Sequence, residues 1–459
     1  MKKLDINNKY NKLNIKLSLP KQAENAISIL EFNGFEAYAV GGCVRDAVMG
    51  KKPADWDICT NCKPQKLKDI FGEYRITETG IKHGTITVVI DGLPLEITTF
   101  RYDSDYCDHR HPNAVEYISD LNDDLSRRDF TVNALAYNKK TGIIDRFGGL
   151  SDIKNKIIRC VGDPELRFEE DALRILRAAR FSSTLSFSIE PKTKSALLKK
   201  IKLLDFVSAE RIHEEFLKLL TGENVLNILL EFKELIFHLI PELGKCDLTP
   251  QNTPHHCYNV YEHIAHSVAN INPKPELRLV MLLHDIGKPE TMTTDEQGTS
   301  HFKMHPDVSK RMSEVILNRL KLPKNDIKYI CKLISQHDNR FPAQEKPIKR
   351  FLSNYGEYFF EDYIKIRLAD TFAQSEYMRE EKLNIIMNVK IIGENIIKSN
   401  EPLQIKDLDI SGDDLLKLGL CGKQIGEMLN KILDAVLDNK IPNTKSELIK
   451  FTESNLQLH

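Results

Sequence analysis

The sequence has no excess of charge of either sign and no repeated or low-complexity segment. Its 65 basic and 66 acidic residues nearly cancel. Any contact with nucleic acid must therefore rely on a local basic patch rather than on the net charge of the protein. The absence of internal repeats excludes a repeat architecture and leaves ordinary globular domains.

The nine cysteines are scattered and do not outline a disulfide framework. Cys59 and Cys62 form one Cys-x-x-Cys spacing, but no second pair accompanies them as a structural zinc site would require. Residues 1–19 lack the continuous apolar core of a signal peptide, and no apolar run is long enough to span a membrane. We therefore expect a protein of the reducing cytoplasm that does not bind a membrane.

The chain has 459 residues, of which 29% are charged and 41% apolar, as is typical of helix-rich proteins with three or four domains. We predict an α+β fold class. The expected parts are a small mixed-sheet head, a helical neck, a helical region rich in His and Asp, and a helical tail. Their predicted ranges are 1–150, 151–249, 250–398 and 399–459.

Two glycines and two carboxylates form the most informative motif of the head. Gly41 and Gly42 follow a predicted strand, open a predicted helix, and would let the backbone approach phosphates closely. Asp55 and Asp57 alternate along a predicted strand and so share one face. Paired carboxylates suit Mg²⁺, which also binds substrate phosphates. Glu96, on another predicted strand, is a candidate third carboxylate, or alternatively a solvent-facing strand residue.

A second polar run, residues 126–134, is predicted to start a helix capped by Ser126. In a functional interpretation Arg128 contacts phosphate, while Asp129 and Asn133, one helical turn apart, contact ribose. The alternative is that Asp129 is merely the capping-box partner of Ser126.

Asp171 and Arg174 are spaced three apart in a predicted helix and should be neighbours on one face. An ordinary ion pair is one interpretation. The other is base recognition, because Asp only accepts and Arg only donates hydrogen bonds. Cytosine and adenine present an amino donor beside a ring-nitrogen acceptor and match this pair, whereas uracil and guanine present the reverse pattern. A protein template that selects C and A is the resulting hypothesis.

Taken in order, the motifs around Gly41, Asp55, Arg128, Asp171 and Arg211 resemble those of class II CCA-adding tRNA nucleotidyltransferases and bacterial poly(A) polymerases. The resemblance covers about residues 20–220 and implies a polymerase-beta-like head acting on tRNA with CTP and ATP. It assigns metal binding and catalysis to Asp55 and Asp57, and the residue pattern adds Glu96 as a candidate catalytic carboxylate. The resemblance assigns nucleotide binding to Arg128, Asp129, Asp171, Arg174 and Arg177. The residue pattern adds Gly41, Gly42, Arg45 and Asn133 as predicted nucleotide-binding residues. The oligomeric state stays open.

Three further segments favour full CCA addition within this family. Residues 79–87 resemble the CCA-adding version, since they lack the paired basic residues usual in the poly(A) polymerases. Residues 101–112 resemble the loop that members need for the final A, although a polar surface loop would look similar. Segments 412–415 and 422–426 resemble tail segments that hold tRNA. The alternative within the family is a poly(A) polymerase, which would extend with ATP alone.

A second candidate centre resembles the HD phosphohydrolase motif. His284 and Asp285 end an apolar run, and a polar pair buried there would need a partner such as a metal ion. The resemblance assigns one metal to His263, His284, Asp285 and Asp370, and a further metal to His305 and His337. Mixed imidazole and carboxylate ligands favour Mn, Ni, Fe or Mg. Hydrolysis of phosphoesters such as 2′,3′-cyclic phosphate ends is implied, and an HD phosphohydrolase with an RNA-holding head is the alternative from another class.

Overall fold

The computed structural model describes residues 12–13, 16–78, 80–81, 84–103, 115–399 and 401–456. It contains two compact units, residues 1–239 and 240–459, and each is described by itself. The first unit contains a mixed sheet with helices, and the second is almost wholly helical. The predicted α+β class is confirmed, while the predicted division into four parts stays a prediction.

The first unit is built on an eight-stranded sheet in the order β1-β10-β9-β2-β3-β6-β5-β4. Neighbouring strands are antiparallel except β3 and β6, which are parallel. A separate antiparallel ribbon joins β7 to β8. The strands are β1 (Lys12–Leu13), β2 (Ala37–Val40), β3 (Asp57–Thr60), β4 (Arg75–Thr77), β5 (Thr85–Ile90), β6 (Leu93–Thr99), β7 (Arg101–Asp103), β8 (Val115–Tyr117), β9 (Leu135–Asn138) and β10 (Gly142–Asp145).

Helices pack on this sheet and continue into a helical region. A short parallel pair, β11 (Ile157–Ile158) and β12 (Ser188–Ile189), lies within the helical region, and residues 131–133 and 201–206 form 3₁₀ helices. The helices are α1 (Lys21–Phe32), α2 (Gly42–Val48), α3 (Pro64–Ile70), α4 (Leu121–Ser126), α5 (Gly149–Asn155), α6 (Pro164–Glu170), α7 (Leu173–Leu185), α8 (Pro191–Lys200), α9 (Ala209–Leu220), α10 (Val225–Glu231) and α11 (Lys233–Leu239).

Apolar periodicity explains the elements that carry the site. In β5 the side chains of Ile86, Val88 and Ile90 are buried, and the intervening ones are partly exposed, as expected for a sheet with one face on the core. Along α7, Leu173 and Leu176 likewise lie in the core. Arg174 and Arg177, two of the predicted nucleotide-binding residues, therefore lie on a well-packed helix.

Two predicted helices are wrong in extent. The run from Ser126 does not start a helix: α4 ends there, and the Ser126 hydroxyl donates to the carbonyl of Asp123. The Asp129 carboxylate accepts from the backbone N–H of Phe130 at 2.7 Å, a local bond that competes with helix formation. Farther along, α6 ends at Glu170, and Asp171 has an extended backbone before α7.

The second unit is a helical body with a short antiparallel pair, β13 (Thr293–Thr294) and β14 (Ser300–His301), and a 3₁₀ turn at residues 405–407. Its C-terminal part has an apolar core of its own. The helices are α12 (Glu242–Asp247), α13 (Val260–Asn270), α14 (Pro275–Leu283), α15 (Lys288–Thr291), α16 (His305–Arg319), α17 (Lys324–Gln336), α18 (Glu345–Tyr355), α19 (Glu357–Phe372), α20 (Arg379–Lys398), α21 (Gly412–Lys417), α22 (Lys423–Leu437) and α23 (Lys445–Leu456).

Helix α14 explains how a polar pair comes to lie deep in this unit. Every residue from Leu277 to Leu283 is buried, so the helix is surrounded by protein on all sides. His284 and Asp285 follow directly and are 0% and 2% exposed. Among the described residues, no helix combines the length and apolarity needed to cross a membrane.

Candidate functional site

Three carboxylates of the head lie together, two of them at the start of β3 and the third in the middle of the paired strand β6. Strand β3 begins at Asp57, so the predicted strand is two residues too long and Asp55 lies in the bend before it. Trp56 and Ile58, on either side of Asp57, are buried. The parallel register of β3 and β6 sets Asp57 directly beside Glu96, which places the candidate third carboxylate at the site.

The electrostatics of this cluster fit a divalent cation. Burial, together with repulsion from Asp55 and Glu96, raises the pKa of Asp57 to about 6, against an opposing effect of Arg128. The carboxylates repel one another when all of them are ionised. A metal ion coordinated by their oxygens would neutralise this negative charge. Asp55, Asp57 and Glu96 are the residues that would hold Mg²⁺ here.

Gly41 allows an arginine to lie against the backbone that opens α2. Its φ is +83°, and an added Cβ would come within 3.0 Å of the Arg128 guanidinium. The other side of Arg128 contacts the buried carboxylate of Asp124 at 3.3 Å. Although burial opposes it, Asp124 raises the pKa of Arg128, so a fixed positive charge faces the Gly41-Gly42 turn.

The predicted sugar- and phosphate-binding residues form one buried hydrogen-bond network. The Asn133 amide donates to Asp129 at 3.0 Å and accepts from Arg45. Asp129 also accepts two bonds from Arg177, at 3.0 and 2.6 Å. Burial would raise the pKa of Asp129, but Arg177 and Asn133 lower it to about 2. The Asp129 carboxylate is therefore a fixed anion that orients Arg177.

Three residues of this network were not foreseen from the sequence. Glu215 of α9 contacts Arg177 at 3.3 Å and Arg180 at 2.7 Å. The Phe181 ring lies 5.2, 5.3 and 3.7 Å from the guanidinium carbons of Arg45, Arg177 and Arg180. One signal was available, since Glu215 stands at an apolar position of α9 and a carboxylate buried on such a face needs cationic partners.

The proposed base-reading pair does not form an internal ion pair. Asp171 lies in the break between α6 and α7, where it accepts from Arg211 at 3.2 and 3.1 Å. Arg174 instead donates to Glu170 at 2.7 Å and to the carbonyl of Arg127 at 2.8 Å. The ordinary ion-pair interpretation is therefore wrong, because separate partners fix each side chain.

The second unit brings together all six residues of the predicted HD centre, namely His263, His284, Asp285, His305, His337 and Asp370. Asp285 lies between two groups of imidazoles. Its Oδ2 is 3.4 and 3.3 Å from the Nε2 atoms of His263 and His284, and its Oδ1 is 3.2 and 3.5 Å from those of His305 and His337. Asp370 approaches His263 at 2.9 Å.

The ring orientations of this centre suit metal ligands. The Nδ1 atoms of His284, His305 and His337 lie 2.7, 2.8 and 2.7 Å from backbone carbonyl oxygens. Since a carbonyl only accepts, each Nδ1 carries a proton, and Nε2, which points toward Asp285, is the ring atom that would bind a metal ion. Two sets, His263-His284-Asp285 and Asp285-His305-His337, each place three ligand atoms within 4.8 Å of one another.

Comparison with known proteins gives family matches in three regions. Residues 37–159 match the family described as Poly A polymerase head domain. Residues 186–246 match "Probable RNA and SrmB- binding site of polymerase A", and residues 290–452 match tRNA nucleotidyltransferase domain 2.

Whole-chain relatives decide the family. The CCA-adding enzyme of Lactobacillus helveticus (strain DPC 4571) is 32% identical over 94% of this chain and 96% of its own length. The CCA-adding enzyme of Staphylococcus haemolyticus (strain JCSC1435) is 33% identical over 95% of this chain and 98% of its own length. This chain belongs to the CCA-adding enzyme family. The resemblance to class II CCA-adding enzymes and poly(A) polymerases is thus confirmed.

The fold agrees with that of a solved family member. The crystal structure of the Bacillus stearothermophilus CCA-adding enzyme in complex with CTP is 27% identical, has a TM-score of 0.72, and covers 95% of this chain and 98% of its own. Residues 79, 82, 83 and 104–114 lie outside the described part of this CCA-adding family member. The expectations about segments 79–87 and 101–112 therefore stay predictions.

Proposed function

We propose that the protein adds C, C and A to tRNA 3′ ends from CTP and ATP without a nucleic-acid template. The observation that carries this proposal is the separate anchoring of Asp171 and Arg174, which leaves an acceptor and a donor that do not neutralise each other. Relatives named as CCA-adding enzymes along almost the whole chain support it. Tail segments 412–415 and 422–426 would hold the tRNA, and the cytoplasm is the proposed site of action.

In the proposed reaction the terminal 3′-hydroxyl of tRNA attacks the α-phosphate of the nucleotide, and pyrophosphate leaves. Mg²⁺ held by Asp55, Asp57 and Glu96 would lower the pKa of the attacking hydroxyl and stabilise the negative charge of the leaving pyrophosphate. Arg128 holds the triphosphate against the Gly41-Gly42 turn. Asp129 keeps Arg177 extended toward the same nucleotide.

The proposed base choice follows from the hydrogen-bonding pattern of the protein. Asp171 accepts from the amino group of cytosine or adenine, and Arg174 donates to the neighbouring ring nitrogen. Uracil and guanine would place a carbonyl acceptor against Asp171 and an N–H donor against Arg174. These buried polar groups would then remain unpaired. Arg211 and Glu170 hold the two side chains in place for this pairing.

The test uses a tRNA that lacks its 3′ end, incubated with each NTP singly and in mixtures, followed by sequencing of the products. The wild type should produce CCA ends. Asp171→Ala and Arg174→Ala should incorporate U and G while binding triphosphate normally, and exposed Lys192→Ala on α8 is the matched control. Long A tails without C would indicate a poly(A) polymerase, and unchanged base choice in both variants would refute the protein template.

A second candidate function is metal-dependent phosphohydrolysis at the HD centre. The favouring observation is the convergence of four imidazoles on Asp285, with three of their Nδ1 atoms fixed by carbonyls. His263, His284, Asp285 and Asp370 would hold one ion of Mn, Ni, Fe or Mg, and His305 and His337 would complete a second site with Asp285. The substrate would be a phosphoester, with 2′,3′-cyclic phosphate ends as the first to assay.

Metal analysis tests this centre independently of activity. Purified wild-type protein should contain bound divalent metal, and His284→Ala with Asp285→Ala should remove most of it. His301→Ala, in the same unit and 46% exposed, is the control. Equal metal content in all three proteins would contradict the assignment.

A further inference from the structure

Four cations surround one edge of the HD centre, and we call Arg340, Arg367, Arg379 and Lys382 the cationic wall. Lys382 of α20 donates to the side-chain carbonyl of Gln374 at 2.7 Å. The amide of Gln374 in turn donates to Asp370 at 2.9 Å. A single side chain therefore separates the Lys382 ammonium from a carboxylate of the HD centre.

The positive charge of this wall is largely uncompensated. Within the described part of the chain, Asp338, at 2.7 Å from Arg340, is the single carboxylate in ion-pair distance of the four cations. The guanidinium groups of Arg367 and Arg379 donate to backbone carbonyls of Asn339 and Gln374 instead. Their Nε atoms are buried and have no hydrogen-bond partner among the described residues. These two donors therefore add positive charge to the wall that no carboxylate of the described residues offsets.

The cations of the wall repel one another. Burial is the main cause that lowers the pKa of Lys382, and Arg340, Arg367 and Arg379 lower it further, whereas Asp370 acts in the opposite direction. An anion placed beside Lys382 would relieve this repulsion. The attraction would be strong because the groups are partly shielded from water.

A neutral histidine and an exposed tyrosine complete the surroundings of Lys382. The Lys382 ammonium lies 3.0 Å from Nδ1 of His255, and burial together with Lys382 lowers the pKa of that histidine. His255 packs against the Tyr377 ring at 5.0 Å, and Tyr377 is 51% exposed. Gln374 and His255 both accept from the ammonium, so Lys382 is oriented rather than freely mobile.

We propose that Lys382, together with Arg340 and Arg379, binds the phosphate of a phosphoester substrate beside the HD centre. The inference rests on the proposed phosphohydrolase function and assigns its substrate-binding residues. In the hydrolysis, water forms a new P–O bond and the ester P–O bond breaks. The leaving alcohol takes the proton that water gives up, so no further reactant is needed. The cationic wall would bind monoesters and diesters alike through their anionic oxygens.

The test compares full-length Lys382→Gln with Lys390→Gln, both loaded with Mn²⁺. Lys390 lies on the same helix, is 42% exposed, and pairs with Glu394. Inorganic phosphate binding is measured by calorimetry, and hydrolysis with p-nitrophenyl phosphate and its bis ester. Loss of one charge-assisted contact should weaken phosphate binding about tenfold and raise KM about as much, with a smaller change in kcat. Metal content should be unchanged, which excludes damage to the ligand set.

The outcomes separate this inference from the function on which it rests. Weaker phosphate binding in Lys382→Gln without hydrolysis by any protein would support the phosphate site and contradict phosphohydrolysis of these esters. Phosphate affinity and KM equal to those of the wild type would overturn the site. A Mn²⁺-loaded wild type that binds no phosphate would overturn it too. Lys390→Gln should behave as the wild type in every assay.

Discussion

Ionisation of the Asp57 side chain affects the stability of the folded protein. Its folded pKa of about 6 exceeds the ordinary value of 3.8. Between these two pH values the folded protein retains a proton that the unfolded chain has released, so the free energy of unfolding of the metal-free protein falls as pH rises. The full effect, above pH 6, is at most about 3 kcal/mol.

Asp57→Asn should therefore raise the melting temperature of the metal-free protein at pH 8 and change it little at pH 4. The substitution removes the charge that burial, Asp55 and Glu96 disfavour. Thermal unfolding with a metal chelator present measures the difference, and nucleotide incorporation should be lost. If Asp57→Asn were no more stable than the wild type at pH 8, the claim that burial, Asp55 and Glu96 disfavour the Asp57 charge would be contradicted.

Arg211 is the second residue with a separable role, since it touches Asp171 but no part of the proposed reacting centre. Arg211→Gln should loosen Asp171 and allow U and G to be incorporated. Discrimination against these bases should fall about tenfold, the effect expected from losing one charge-assisted contact. Triphosphate affinity should be retained, because Arg128 is unaffected. Lys218→Gln, exposed on the same helix, is the control. Faithful CCA addition by Arg211→Gln would show that Asp171 needs no such anchor.

At the scale of elements, the turn before α2 makes a sharp prediction. Gly41→Ala strains a backbone with φ of +83° and pushes Cβ to 3.0 Å from Arg128. Gly50, two residues beyond the end of the same helix, has φ of +70° and open space around it. Both substitutions should cost about 1 kcal/mol of stability through the backbone. Only Gly41→Ala should lower nucleotide incorporation strongly, and equal activity of the two variants would exclude a role for the close Arg128 contact.

The elements also show how far the sequence alone could go. The strand predicted directly before Gly41 is present as Ala37–Val40, because buried strands produce continuous apolar runs. The break at Asp171 was not foreseen, since Arg211, far along the chain, holds that side chain. The pairing of Asp57 with Glu96 likewise depends on strand register. Local pattern predicts which residues matter, whereas long-range contacts decide how they are arranged.

The whole molecule consists of two units, and each carries one candidate centre on its own packed elements. The carboxylate cluster belongs to the first unit, and the HD centre belongs to the second. The two centres share no residue in the described part of the chain, and substitutions at sites without shared partners have nearly independent effects on a protein. The two proposed activities should therefore be separable by mutation.

His284→Asn with Asp285→Asn should lower the metal content of the full-length protein and leave CCA addition to tRNA within about twofold of wild type, as expected for independent sites. Asp55→Asn with Asp57→Asn should abolish CCA addition and leave the metal content of the HD centre unchanged. Elemental analysis and primer-extension assays on the same preparations measure both, with circular dichroism as the control for folding. If the HD variant folded normally but lost CCA addition, CCA addition would depend on the HD centre. The independence of the two activities would then be refuted.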